Sequence, residues 1–496
     1  MGRLMVNAVG RARDQWNRGG RPERFGRPAP ARGRQGKEMS KGQVGRATGA
    51  FALLLLAQIP AVAASAAEPA DRAPDEVRAL ATAYDDSGHD LFVRFAAAPG
   101  NIVFSPYSIG TAMAMALSGA RGDTATEMAK VLRQTQPPAA IDAANKSLLA
   151  LLNGYDKSAL PVACPNAAMH FNGQDCEAPL PAGGACTSGY RDGERCIAPV
   201  RRPASASLKA ANALMLLKQN GDMIAPAYAG LLEDKYRAQV FRGAGLDEIN
   251  RWVDRQTEGK IEKILDQIDP TAPAVILNAI YFKAAWQSTF SRNATSDADF
   301  RISPTVRVKV PTMHRMGHYQ AIVRPGFRAI RLPYTVDALA MVIVLPNEVD
   351  GATRLARELD APKLAALFRD MTEWKNVELA LPRFKTSFRA NLGKLFVEAG
   401  MKRAFDARAA DFSGMTGQPP AAAQLAISEV IHRAVIEVTE EGTEAAAATA
   451  IAMMAASMPP KSEPFVIDRP FLFYITDQAS GAILFQGRIS DPRPQS

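Results

Sequence analysis

The residue types that could do covalent chemistry are few and scattered. All four cysteines, Cys164, Cys176, Cys186 and Cys196, fall in a Pro-, Gly- and Ala-rich stretch, residues 160–207. Thiols this close together either cross-link or hold a metal. The C-x2-C pairs of a zinc site are absent, so two disulfides are the expectation, in any of three pairings, with zinc the disfavoured alternative. His314 and His318 have the spacing of two helical metal ligands, but they follow the strand-like VRVKVPTM. His89, His170 and His432 are the remaining imidazole bases, and none has a nucleophile motif to serve. No G-x-S-x-G elbow is present, and DFSGMTG at 411–417 is a poor substitute. These patterns point away from a hydrolase, a metal centre or a bound cofactor.

A conformational chemistry is written in residues 440–450, EEGTEAAAATA. Gly442 frees the backbone, Thr443 is β-branched, and Ala445, Ala446, Ala447 and Ala448 are small enough to pass between packed neighbours. In a strand Thr443, Ala445, Ala447, Thr449, Ile451 and Met453 share one uncharged face, while Glu444 points the other way. Alanine is a poor strand former, and the run is shorter than the roughly 12 residues an isolated helix needs. The segment reads as a strand that stays exposed until a sheet admits it, or as an alanine-rich linker.

The elements that would position such a strand follow from hydrophobic period. Helical spacing of apolar residues runs over 75–98, 109–133, 247–268, 352–371 and 392–399. Stretches rich in Val, Ile, Phe and Tyr at 275–282, 306–310, 329–332, 340–345, 377–381, 427–438, 471–476 and 482–489 predict strands. Helices and strands mix without βαβ alternation, so the class is α+β with large antiparallel sheets.

The chain opens with a basic arm, then AFALLLLAQIPAVA at 50–63 and small residues, a secretory signal cleaved near Ala66 or Ala67 and too short to span a membrane. Met39 would head an ordinary signal and is the expected start, which puts translation of residues 1–38 in question. Of the 59 basic and 50 acidic residues, 12 and 3 lie in the first 50 positions, so the rest of the chain is formally neutral. The net charge of +9 therefore belongs to the arm and does not predict nucleic-acid binding. A secreted or periplasmic protein without a membrane span in its mature form is expected.

Several strings, in one order, resemble the serpin family of serine protease inhibitors. NIVFSPYSIGTAMAMALSGARGDT at 101–124 is similar to the family's F-S-P-x-S-I motif and the helix after it. LNAIYFKAAW at 277–286 is similar to its N-x-x-x-F-K-G-x-W strand, with Ala284 at the usual glycine. PRFK at 382–385, ADFSGM at 410–415 and RPFLFYITD at 469–477 add three more, and EEGTEAAAATA resembles the family's inhibitory hinge almost letter for letter. The match spans about 79–492, interrupted by the cysteine stretch.

The resemblance implies an α+β serpin fold: large mixed and antiparallel sheets, about eight or nine helices and an exposed reactive-centre loop. One domain would cover 75–496, after the arm and signal at 1–67, with 160–207 inserted as a stapled surface module. The central sheet would open at a buried polar cluster matching Ser105, Ser108, Asn278 and His432, with Trp286 and nearby Lys283 at its opening end. The hinge maps to Glu440, Glu441, Gly442, Thr443, Glu444, Ala445, Ala446, Ala447 and Ala448. Counting on to Pro459-Pro460 puts the scissile bond between Ala456 and Ser457.

A serine or cysteine protease would form an acyl-enzyme at Ala456, and the freed loop would then insert as a new strand. The partner is thus a protease held covalently one-to-one by a monomeric, consumed inhibitor. Ala456 suits an elastase-like or subtilisin-like pocket, whereas cleavage after Met453 or Met454 would suit a chymotrypsin-like enzyme. A non-inhibitory carrier or folding helper shares every scaffold motif; the uncharged inserting face argues against it. Residues 142–157, where a polysaccharide-binding helix would fall, hold only Lys146 and Lys157, so no such footprint is expected.

Overall fold

The computed structural model describes residues 72–158, 164–171, 176–181, 184–198, 204–217, 223–443 and 462–494. These belong to one compact unit, Ala67–Ser496. Among the described residues there are eleven α-helices and three sheets. The surplus over the expected eight or nine helices includes two single turns, Ser413–Thr416 and Pro420–Ala423.

The six-stranded sheet runs in the order Phe384–Asn391, Glu429–Val438, Gly442–Thr443, Ala274–Ala285, Ala206–Leu216 and Gln239–Arg242. It is mixed, since Glu429–Val438 lies parallel to Ala274–Ala285 and Ala206–Leu216 lies parallel to Gln239–Arg242. Both faces are covered, which is why its central strand reads as a continuous apolar run. Ala274, Ile276, Ile280, Phe282 and Ala284 enter the main core; Val275, Leu277 and Ala279 enter a second core under the Leu246–Gln256 helix. The main-core face rests on the helix Pro106–Gly119, which is buried at all 14 positions. Its small residues permit that, because a Cβ on Gly110 or Gly119 would collide with Tyr84 or Met415.

A nine-stranded sheet completes the body, in the order Ile102–Phe104, Ile483–Ile489, Phe471–Asp477, Leu339–Pro346, Phe327–Pro333, Arg307–Arg324, Thr372–Pro382 and Glu463–Val466, with Ser296–Arg301 beside Arg307–Arg324. The third sheet, of four short strands between His170 and Ala198, forms the cysteine module. It has its own small core of Met169, Cys176, Ala178, Cys196 and Ala198.

Three expected helices are shorter than their apolar pattern. The 247–268 helix stops at Gln256, because Glu258 and Gly259 take positive φ of 53° and 78° and Asn250 captures the chain beyond. Its carbonyl accepts from the Ile264 and Leu265 amides at 2.9 and 3.1 Å, and Ile261, Ile264 and Leu265 stay buried without helix. The 109–133 run splits into Pro106–Gly119 and Gly122–Val131, where Gly122 takes φ +53°. The 352–371 run splits at Asp360, whose side chain caps Ala361–Asp370 by accepting from the Lys363 amide.

Candidate functional site

The site is a seam between the parallel strands Glu429–Val438 and Ala274–Ala285. These two strands pair from Glu429↔Val275 to Val435↔Tyr281. Beyond that point they part, and the two-residue strand Gly442–Thr443 fills the gap, antiparallel to both. Gly442 faces Ala285, and Thr443 faces Ala284 on one side and Val438 on the other. The expectation of a wholly exposed segment is therefore corrected at its N-terminal end: Gly442 and Thr443 are buried, Thr443 at 0 % exposure.

Shape explains the fit. A Cβ on Gly442 would strike the Ala284 carbonyl oxygen and lie 2.8 Å from Ala285 Cα, so glycine is required for this approach. The Thr443 and Tyr334 hydroxyls bond at 2.7 Å inside the core. Trp286 lies on the Tyr334 ring, 4.6 Å between centroids and 9° from parallel. The indole Nε1 donates to the Thr439 carbonyl at 3.0 Å, and the Trp286 and Phe290 amides donate to the carbonyls of Glu441 and Glu440. Lys283 sits near the same end, opposite Ser207.

The two glutamates are clamped from the side. Glu440 is 3 % exposed; its carboxylate accepts from Thr295 at 2.7 Å and lies 3.6 Å from Arg383 Nε. Glu441 accepts from Arg292 Nε at 2.5 Å and from the Thr439 hydroxyl at 3.1 Å. Burial pushes the Glu441 carboxyl up, but the bonds from Arg292, its own backbone N–H and Thr439 outweigh it and hold its pKa below the ordinary value. These groups, with Lys260, line a polar cavity of about 490 Å3.

Further down the seam the four polar-cluster residues come together. Ser105 caps the buried helix by accepting from the Ser108 amide at 2.9 Å. Asn278 Nδ2 donates to Ser108 Oγ at 2.6 Å and to the Ser108 carbonyl at 3.1 Å, and its Oδ1 lies 2.5 Å from His432 Nδ1. Since the Asn278 nitrogen is the donor, its oxygen accepts, and His432 carries its proton on Nδ1. Burial lowers the His432 pKa to about 3, so the ring is neutral, and its buried Nε2 has no partner among the described residues.

Asn212 is a member the sequence reading missed. Its Oδ1 accepts from Asn278 Nδ2 at 2.6 Å, and it faces Asn278 across the Ala206–Leu216 strand pairing. A single polar residue within AANALML was the available signal, but the alanines hid the strand.

Cys164 pairs with Cys176 and Cys186 with Cys196, with Cα separations of 5.6 and 5.5 Å. His314 and His318 stand on the strand Arg307–Arg324, and no cluster among the described residues could hold a metal ion. No helix among them is long and apolar enough to cross a membrane. Glu444, Ala445, Ala446, Ala447 and Ala448, the expected Ala456–Ser457 bond, and the residues of the signal lie outside the described residues.

Comparison with known proteins covers most of the chain. The family profile described as Serpin (serine protease inhibitor) matches residues 82–178 and 186–492, skipping a few positions inside the cysteine module. A serpin-like protein of Thermococcus kodakarensis is 33% identical over 413 residues, 82% of this chain and 84% of that one. The human leukocyte elastase inhibitor is 33% identical over 410 residues, 79% of this chain and 93% of its own. Among solved structures, human kallistatin superposes with TM-score 0.67 at 24% identity, over 84% of this chain and all of that chain. The thermophilic serpin tengpin in its native state gives 0.66 at 24%, over 85% and 96%. At those identities the structures establish a common fold.

Proposed function

The chain belongs to the serpin family, and on that premise we propose that it is an exported suicide-substrate inhibitor of serine or cysteine endopeptidases. The observation that carries the reading is the position of Gly442 and Thr443, already paired with both neighbours at the head of the seam. Insertion then needs propagation of an existing strand rather than nucleation of a new one.

The protease nucleophile attacks the Ala456 carbonyl, the Ala456–Ser457 peptide bond breaks, and the new Ser457 amine leaves with the C-terminal fragment. The acylated loop then zips downward, parting the pairs from Val435–Tyr281 to Glu429–Val275 as it enters. Roughly 14 residues at about 3.4 Å each carry the tethered protease on the order of 50 Å. Deacylation fails if that pull separates the protease's oxyanion donors from the ester, each donor being worth roughly 3 to 4 kcal/mol. The small Ala456 side chain and the relatives named leukocyte elastase inhibitor favour an elastase-like target, with subtilisin-like enzymes next. The signal-like leader and the two disulfides support export.

The test is incubation with elastase-, subtilisin- and chymotrypsin-like proteases, read on a denaturing gel and by mass spectrometry. A covalent one-to-one complex and a released peptide beginning at Ser457 are expected with an elastase-like enzyme. Turnover of the loop without complex, by every enzyme in the panel, would refute inhibition; a peptide beginning at Ala455 would move the bond to Met454.

A further inference from the structure

The Phe327–Pro333 strand holds an arginine, Arg331, with no carboxylate partner among the described residues. At one rung of the nine-stranded sheet, cross-strand pairing lines up Glu373, Gln320, Arg331, Val342 and Tyr474. Partners in register point to the same face. Arg331 Nη2 donates to the Phe368 carbonyl, at 3.0 Å, on the helix Ala361–Asp370. Among the described residues its buried Nε has no partner and no carboxylate pairs with it. Two strands away the buried Tyr474 hydroxyl also has no partner among the described residues, and its ring packs edge-on with that of Phe368, 5.9 Å between centroids.

Arg488 supplies the contrast. It too is sheltered, but its guanidinium donates to the carbonyls of Ala96, Ala98 and Gly100 and to the Thr353 hydroxyl. Arg488 thus meets the acceptors that desolvation of a cation requires. The Arg331 side chain also lines a cavity of about 380 Å3, together with His318, Tyr319, Gln320, Pro333, Glu373 and Gln478. Burial pulls the Arg331 pKa below its usual value, though a guanidinium stays charged at neutral pH.

We propose that this cavity is a binding site for a small organic monocarboxylate. The planar fork of Arg331 takes the carboxylate, the amides of Gln320 and Gln478 supply further polar contacts, and Pro333 and Tyr319 offer apolar surface to the rest of the molecule. The volume suits a small ligand. The charge class follows from the rim. Glu373 stands there 63 % exposed, 3.5 Å from His318 Nδ1, so one cation faces the ligand beside one carboxylate. That balance accepts a single negative charge and disfavours phosphates or sulfated polymers.

Titration calorimetry of the full chain with sodium benzoate, sodium acetate and inorganic phosphate tests this. Saturable benzoate binding is expected, weaker for acetate, which lacks the apolar ring, and absent for phosphate. Arg331→Met should abolish it. Glu373→Gln, at an exposed position that leaves folding intact, should tighten it roughly two- to fivefold by removing the like charge. No saturable benzoate binding to the unmodified chain, unchanged binding in Arg331→Met, weaker binding in Glu373→Gln, or a preference for phosphate would each overturn the assignment.

Discussion

At the residue scale, Thr443 and His432 set opposite ends of the seam. Thr443 has no exposure, and its hydroxyl is satisfied by Tyr334. A guanidinium in its place would be buried beside Tyr334, Ala284 and Val438, none of which carries a charge to meet it, at a cost of several kcal/mol. Thr443→Arg should therefore keep the loop out of the sheet. The expected result is at least a tenfold fall in covalent complex yield, with cleaved inhibitor in its place; full yield on a denaturing gel would show that the first strand position does not gate insertion. His432 acts through protonation. Its folded pKa of about 3 lies below the ordinary value near 6.5. Between those pH values the unfolded chain binds a proton that the folded chain refuses, so stability is present above pH 6.5 and drains away as pH falls towards 3. The slope is up to about 1.4 kcal/mol per pH unit. Chemical denaturation of the unmodified protein and of His432→Gln across this range should differ by that slope; parallel curves would mean the ring is not held neutral in the fold.

At the element scale, the Glu463–Val466 strand is weakly held and Arg328 compensates. The strand pairs on one side only, parallel to Thr372–Pro382, and its Pro464 has no N–H to give. Arg328 donates to the Pro464 and Val466 carbonyls at 2.9 and 3.2 Å, and its guanidinium carbon sits 4.3 Å over the Phe465 ring. This strand follows the loop in the chain, and if the loop inserts as proposed, release of the strand would favour entry of an uncleaved loop into the sheet and loss of inhibition. Arg328→Met removes two charge-assisted bonds and a cation–π contact, together worth at least about 1.4 kcal/mol. Activity at 37 °C should then be lost roughly tenfold faster, followed as residual complex formation over time; an unchanged decay would mean that the ladder alone suffices. Strands like this one mark the limit of what the sequence disclosed. Aromatic and β-branched strands such as Leu339–Pro346 and Phe471–Asp477 were legible from composition. Ala206–Leu216 was not, because ASLKAANALML carries helix-forming residues that only the facing Ala274–Ala285 strand makes extended. With that strand went Asn212, whereas Ser105, Ser108, Asn278 and His432 were reached through motif resemblance. The lateral clamps, Arg292, Arg383 and Thr295, were invisible for another reason: their contacts with Glu440 and Glu441 span 57 to 149 residues of chain, and no local pattern records them.

At the scale of the whole molecule, the register of the seam states what complete insertion would change. Thr443 opposes Ala284 and Val438, and both pairings are antiparallel. Continued six residues, the same register sets Thr449 opposite Asn278 on one side and His432 on the other. A strand at that place must separate the Asn278 and His432 side chains and break their 2.5 Å bond. It also brings a hydroxyl, donor and acceptor at once, to the Asn278 oxygen and to the His432 ring. On the proposed mechanism the polar cluster would close the native sheet, and the incoming loop would replace that closure with its own side chain. Backbone pairing along roughly a dozen residues should raise the melting temperature of the loop-cleaved protein well above that of the intact one; at about 2.1 cal/mol/K per residue each kcal/mol moves a domain of this size by only about 1 °C, so a rise of about 10 °C or more would report a gain on the order of 10 kcal/mol. Thr449→Val keeps the shape of the side chain and removes the hydroxyl, leaving the amide oxygen of Asn278 and the imidazole without a partner at a cost of roughly 1 to 3 kcal/mol in the cleaved state. The intact variant should melt with the unmodified protein, and the cleaved variant about 1 to 3 °C below its counterpart by calorimetry. A cleaved form that melts no higher than the intact one would remove insertion from the account of this protein, and equal melting of the two cleaved forms would place some residue other than Thr449 at the cluster.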